Sequence, residues 1–172
     1  MTCAVADYML KYHSSYIGFR EIPDEISLCI NITNCQNNCK GCHSPHLRQD
    51  IGTPLTYSEL KRLIQENEGI TCVCFMGEGK EPWEIERLIR AIRDEVDVKW
   101  ALYSGSEAID FLPDNKLSIS VLNYLKLGPY KEECGPLDCP TTNQKLFKLS
   151  KNSVEEIIMY KTNKENEIKD SN

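Results

Sequence analysis

The sequence predicts an α/β fold, built as an open, partial parallel β/α barrel, and three observations carry that expectation. Apolar runs rich in β-branched residues alternate with segments of helical periodicity, the order that parallel strands with right-handed crossovers produce. The chain has 172 residues, which suits one domain but falls short of the roughly 250 residues that eight β/α units typically need. Unusual loops follow three of the predicted strands, and they would share the carboxyl edge where such sheets gather their chemistry.

The elements follow in order. "ISLCINIT" (26–33) reads as a buried strand that runs straight into a cysteine-rich loop. "TYSELKRLIQENEG" (56–69) predicts a helix: Thr56 and Glu59 have capping-box spacing, Leu60, Leu63 and Ile64 share a face, and Gly69 is a stop. "ITCVCFM" (70–76) is the next strand and ends in "GEG". A second helix has Pro82 in its first turn and Ile85, Leu88, Ile89, Ile92 and Val96 at helical spacing. "VKWALYSG" (98–105) is a third strand, followed by a short helical stretch near 106–112. "LSISVLNYLKLG" (117–128) holds one or two more strands, and "KLFKLS" (145–150) another. Residues 1–160 are expected to form a single domain, and 161–172, "KTNKENEIKDSN", a polar, frayed tail. There is no internal repeat and no low-complexity domain.

Composition narrows the class. With 41% hydrophobic and 27% charged residues the chain should bury a core without disulfide staples. A formal charge of −6 gives no reason to expect nucleic acid or an anionic membrane as partner. No apolar run approaches the roughly 20 residues of a membrane span, and the opening "MTCAVADYMLKYHSSY" lacks the segments of a secretory signal. The expected compartment is the cytoplasm. There the nine cysteines should be thiols or metal ligands. Cys72 and Cys74 lie two apart on a strand and should share one buried face as small hydrophobes, a reading extended to Cys3 and Cys29.

"NCQNNCKGCHSPH" (34–46) is different, because Cys35, Cys39 and Cys42 fall within eight positions with C-x3-C-x2-C spacing. Zinc is one occupant: His43 or His46 would complete a tetrahedral set, although structural zinc ligands usually come as two separated pairs. An iron–sulfur cluster is the other. Clusters are normally held by four thiolates, so three leave one iron of a 4Fe–4S cluster open to a chelating small molecule.

That spacing, directly after a strand, resembles the signature of the radical S-adenosylmethionine (SAM) enzymes. In those enzymes methionine's amino and carboxylate groups chelate the open iron. They also carry a glycine-rich turn after the next strand that binds the methionine amino group. Here that place holds Gly77-Glu78-Gly79, with a glutamate where the second glycine is expected. Further text, "INITNCQNNCKGCHSPHL", "CVCFMGEG", "YLKLGPY" and "CPTTNQKLFKL", is similar to the activating proteins of anaerobic ribonucleoside-triphosphate reductases over roughly residues 14–150. Gly41 before the last cysteine fits that group, and Asn143 and Gln144 match its Asn-Gln element.

The resemblance implies a partial barrel of the radical SAM type, with a 4Fe–4S cluster on Cys35, Cys39 and Cys42. It implies SAM contacts from Gly41, Cys42, His43, Gly77, Glu78, Gly79, Asn143 and Gln144, and no catalytic side chain beyond the cluster ligands. It also implies a mechanism: one electron cleaves SAM, and the 5′-deoxyadenosyl radical takes hydrogen from a glycine Cα of the reductase. The partners would be that reductase and a flavodoxin-like electron donor. Two alternatives stay open: an activase of a different glycyl-radical enzyme, and a non-catalytic zinc or iron–sulfur module. Cys134 and Cys139 bracket "GPLD" without cluster spacing and read as free thiols. His46, like His43, flanks the cysteine loop and is a candidate to line the cofactor pocket, whereas Asn123 and Tyr130 carry no chemistry that the residues alone imply.

Overall fold

A computed structural model describes residues 9–107 and 117–160. The strand expected at 26–33 is present as Ser27–Ile32, but an earlier one, Lys11–Gly18, precedes it, so these are β2 and β1. β1 carries Ser14 and Ser15 at its centre and buries only Tyr12 and Gly18, which erases the alternation a strand normally shows. The remaining elements are β3 (Thr53–Pro54), α1 (Tyr57–Glu66), β4 (Cys72–Met76), α2 (Trp83–Ile92), β5 (Lys99–Tyr103), β6 (Tyr124–Leu127), β7 (Lys145–Leu149) and β8 (Val154–Ile157).

The eight strands of the described residues belong to one sheet with the linear order β3-β1-β2-β4-β5-β6-β7-β8. The four central strands, β2, β4, β5 and β6, run parallel. The flanking pairings, β1 to β2 and β3, and β7 to β6 and β8, are antiparallel. The parallel strands expected from the sequence form the centre of the sheet, and antiparallel strands flank them, so the sheet is mixed. The physical reason is connection length: β6–β7 and β7–β8 are joined without a helix to reverse the chain, so these neighbours pair antiparallel.

Both expected helices form. The Thr56 hydroxyl accepts from the Glu59 amide at 3.1 Å, as a capping residue should. The Glu59 carboxylate does not close the box; it takes the Tyr12 hydroxyl at 2.6 Å and Arg62 instead. Those partners hold its carboxyl down at about 2, Arg62 first. In α2, Ile85, Leu88, Ile89 and Ile92 are fully buried and Pro82 precedes the first turn, without a side-chain cap bond. Residues 117–128 hold one strand and a 3-10 turn, Ile119–Val121. The helical stretch expected near 106–112 falls mostly outside the described residues, as do Cys3 and 161–172. Among the described residues no helix is long and apolar enough to cross a membrane.

The pleat sorts the core into two layers. Val73 and Phe75 of β4 join Leu28, Ile30, Trp100 and the apolar stripes of α1 and α2. Cys72 and Cys74 face the other way, with Cys29, Ala101, Tyr124 and Leu146. All three cysteines are fully buried, as expected for small hydrophobes. Burial pushes the Cys72 thiol up to about 12. Both helices thus cover one face of the sheet, and loops cover the other.

Candidate functional site at the carboxyl edge

The cysteine loop leaves β2 at Asn34, whose φ of 60° turns the chain sharply. Its ends are clamped by backbone bonds from Asn34 to Gln49 (3.2 Å) and Cys35 to Leu47 (3.0 Å). Inside the clamp, the Arg48 guanidinium donates to the Cys39 carbonyl at 2.9 Å, and the Ser44 amide donates to the Cys42 sulfur at 3.4 Å. Cys35, Cys39 and Cys42 are free, partly exposed thiols. Burial pushes the Cys35 thiol up, with the Glu78 charge adding to it and the Asn37 amide opposing. Among the described residues no three His, Cys, Asp or Glu side chains are gathered on one point that would hold a single metal ion.

A cavity of about 150 Å³ opens beside this loop. Cys35, Asn37 and Cys39 line one side, and Gly77, Glu78 and Gly79 after β4 line the next. Tyr103, Ser104 and Gly105 follow from β5, and Lys126, Pro129 and Tyr130 from β6. The carboxyl ends of all four parallel strands therefore meet at one place. Two glycines make this possible. A Cβ on Gly105 would lie 2.1 Å from Asn37 Nδ2, so a larger residue would push the Asn37 side chain away from the third loop. Gly79 has φ +66°, and a Cβ there would lie 3.1 Å from Ile32 Cγ2.

Two ionisable groups face each other across the cavity floor. One carboxylate oxygen of Glu78, Oε2, is buried without a hydrogen-bond partner. Burial raises this carboxyl; Ser104, Lys126 and the Gly105 amide pull the other way. Lys126 is 8% exposed. Its ammonium donates to the Gly128 carbonyl at 2.7 Å and the Ser104 carbonyl at 3.4 Å, and it sits 5.8 Å from the Tyr103 ring centre. Burial pushes Lys126 down to about 8, against the opposing pull of Glu78 and Cys39. Such a floor suits a zwitterion, with Glu78 for an ammonium and Lys126 for a carboxylate.

Cys42, and with it Gly41, His43, Asn143 and Gln144 of the expected site, does not line the cavity. Gly41 is exposed and has φ +73°, and a Cβ there would face Glu132. His43 is exposed and packs its ring 5.0 Å from that of Tyr130, which does line the cavity. His46 packs on His13. Asn143 donates to the Pro129 carbonyl at 3.0 Å, bracing a wall residue, while its own Oδ1 is buried without a partner. Gln144 is buried just before β7. Asn123 caps strand ends far from the cavity, accepting from the Trp100 amide at 2.8 Å.

Lys126, Ser104 and Tyr103 were not singled out from the sequence. The available signal was a lysine between Leu125 and Leu127 in a fully buried strand. Tyr103 also lines a second, larger groove of about 620 Å³ with Arg20, Glu21, Leu137 and Met159, so the two spaces are neighbours. No protein-family model matches the chain, and no curated protein or solved structure matches it either.

Proposed function

We propose that this chain is a radical SAM activating protein that installs a glycyl radical on an anaerobic ribonucleoside-triphosphate reductase, with its sheet forming the wall of an open partial barrel. The observation that carries the reading is the meeting of Cys35 and Cys39 with the Gly77–Gly79 turn at one cavity, on the carboxyl edge of four parallel strands. The donor chemistry fits. A 4Fe–4S cluster spreads its thiolates over separate irons, so Cys35, Cys39 and Cys42 need not converge on one point. A methionine ammonium would find an acceptor in the unpartnered Glu78 oxygen, and its carboxylate a cation in Lys126.

When bound, the cluster and SAM would supply one-electron cleavage of a carbon–sulfur bond and a 5′-deoxyadenosyl radical that abstracts hydrogen from glycine. The chain's own residues do the rest. The Arg48–Cys39 bond and the Cys35–Leu47 clamp hold the thiols in a fixed loop. Glu78 and Lys126 orient the amino-acid end of SAM. The neighbouring groove, with Pro23, Pro136, Leu137, Ile158 and Met159 in its wall, is open enough to receive a chain segment of the reductase.

Three measurements test this. Anaerobically purified protein should contain iron and sulfide; stoichiometric zinc without iron would overturn the reading in favour of a zinc module. Alanine at Cys35, Cys39 or Cys42 should abolish the cluster spectrum, whereas Cys72→Ala should keep it. With SAM and a reductant, electron paramagnetic resonance should show a glycyl doublet on the reductase, lost when its radical glycine becomes alanine. SAM cleavage without that doublet would assign the chain to another glycyl-radical enzyme.

A further inference from the structure

Cys134 and Cys139 play no part in the proposed chemistry, yet the fold brings their segments together. The Thr141 hydroxyl donates to the Cys134 carbonyl at 2.8 Å, and the same oxygen lies 3.1 Å from the Cys139 sulfur. Gly135, next to Cys134, has φ +78°, and a Cβ on it would stand 3.1 Å from both Cβ and Sγ of Cys139. The Cys139 side chain therefore packs directly on the backbone beside Cys134. Turn bonds from Cys134 to Lys131 (3.0 Å) and from Cys139 to Pro136 (3.0 Å) hold both ends of this short loop. Both thiols are free and partly exposed.

We infer that Cys134 and Cys139 form a thiol–disulfide exchange site, in which the pair reacts with low-molecular-weight disulfides and closes to an intraloop disulfide. Cys139 is the attacking sulfur. The Thr141 hydroxyl, once it turns its hydrogen from the Cys134 carbonyl to the sulfur, and the Thr141 amide hold the Cys139 thiol below the ordinary cysteine range, against the opposing charge of Asp138, and so enlarge the reactive thiolate fraction. The Cys139 thiolate attacks one sulfur of the oxidant and expels one thiolate. The Cys134 thiolate then attacks the Cys139 sulfur of the mixed disulfide and expels the second. The chain loses two protons and two electrons, and the oxidant becomes two thiols. The two cysteines lie in a segment that reaches both spaces: Pro129 and Tyr130 wall the cavity, and Pro136, Leu137 and Asp138 wall the groove.

The test is differential alkylation and mass spectrometry of the whole chain, held anaerobically in glutathione buffers of increasing oxidised fraction. A Cys35→Ser, Cys39→Ser, Cys42→Ser chain is run beside it, so that the result is independent of any cluster. In both, the peptide carrying Cys134 and Cys139 should lose two thiols together and yield one internal disulfide. It should do so at a more reducing ratio than a synthetic peptide of residues 131–145. In Cys134→Ser a glutathione adduct should accumulate on Cys139, several-fold faster than on Cys134 in Cys139→Ser. Oxidation no easier than in the free peptide would overturn the inference. So would pairing of either sulfur with another cysteine of the triple-serine chain.

Discussion

The four parallel strands carry a glutamate and a lysine at each end, built on opposite terms. At the amino ends, Glu25 is 5% exposed. It accepts from the Thr71 hydroxyl at 2.6 Å, the Tyr124 hydroxyl at 2.7 Å and the Lys99 ammonium. Burial alone would raise its carboxyl, but these donors, Lys99 foremost, outweigh it and hold the group below its usual range. At the carboxyl ends, Glu78 keeps a buried oxygen without a partner, and Lys126 uses its hydrogens on carbonyls. The first end is a saturated pin that ties the start of β2 to β4, β5 and β6. The second holds charge without satisfying it, a cost that a binding site can recover only when a ligand arrives.

The sharpest way to break the contrast is Glu25→Ala. It orphans three donors in a place made for a carboxylate, and breaking such a buried network costs about 4 kcal/mol. The partly exposed Lys99 keeps the loss from being larger. Urea unfolding at neutral pH measures it. The sign with pH follows from the lowered carboxyl: its contribution is complete above the unfolded pKa and is lost as pH falls through the folded one. The variant should therefore lose that part of the acid sensitivity of the wild type. Equal stability of variant and wild type would mean that the pin holds nothing.

Lys126→Met is the next largest. A fall from the ordinary 10.5 to about 8 is worth about 3 kcal/mol, trimmed to about 2 kcal/mol because the variant also strands two carbonyls. Between those values the unfolded chain binds the proton and the folded chain does not, so wild-type stability should rise with pH there. In Lys126→Met that rise should vanish, while thiol and tyrosine titrations common to both chains cancel in the difference. Unfolding midpoints at pH 7.5 and 9.5 decide it.

How much of this was legible depended on which interaction fixed each residue. α1 and α2 could be read from Leu60, Leu63, Ile64 and Ile85, Leu88, Ile92, because a single buried stripe sets the period. β4 could be read from "CVCFM", buried at all but its last residue. β1 and β8 could not: Val154–Ile157 leaves three of four residues exposed, and its place comes from pairing with β7. The cysteine loop and the Gly77–Gly79 turn were visible as local patterns. Glu25 was not, since Thr71, Lys99 and Tyr124 stand far away in sequence and meet it only through the parallel register; Lys126 was not, because Glu78, Tyr103 and Ser104 reach it the same way and only Gly128 is local.

The smallest effect on stability is the most telling. Glu78→Gln removes a charge whose burial is unfavourable and keeps the shape, so it should change stability by less than about 1 kcal/mol and in the stabilising direction. If the carboxyl end were a second structural pin, the loss would instead approach that of Glu25→Ala. A neutral amide would still accept from an ammonium, but without charge assistance, which roughly halves such a bond. SAM binding should therefore weaken several-fold in equilibrium dialysis, with iron and sulfide content unchanged. A Glu78→Gln chain that folds more firmly and binds SAM less tightly would place the two ends of the sheet in different trades, one holding the strands and the other waiting for a ligand. Unaltered SAM affinity would return Glu78 to the status of an unexplained buried acid.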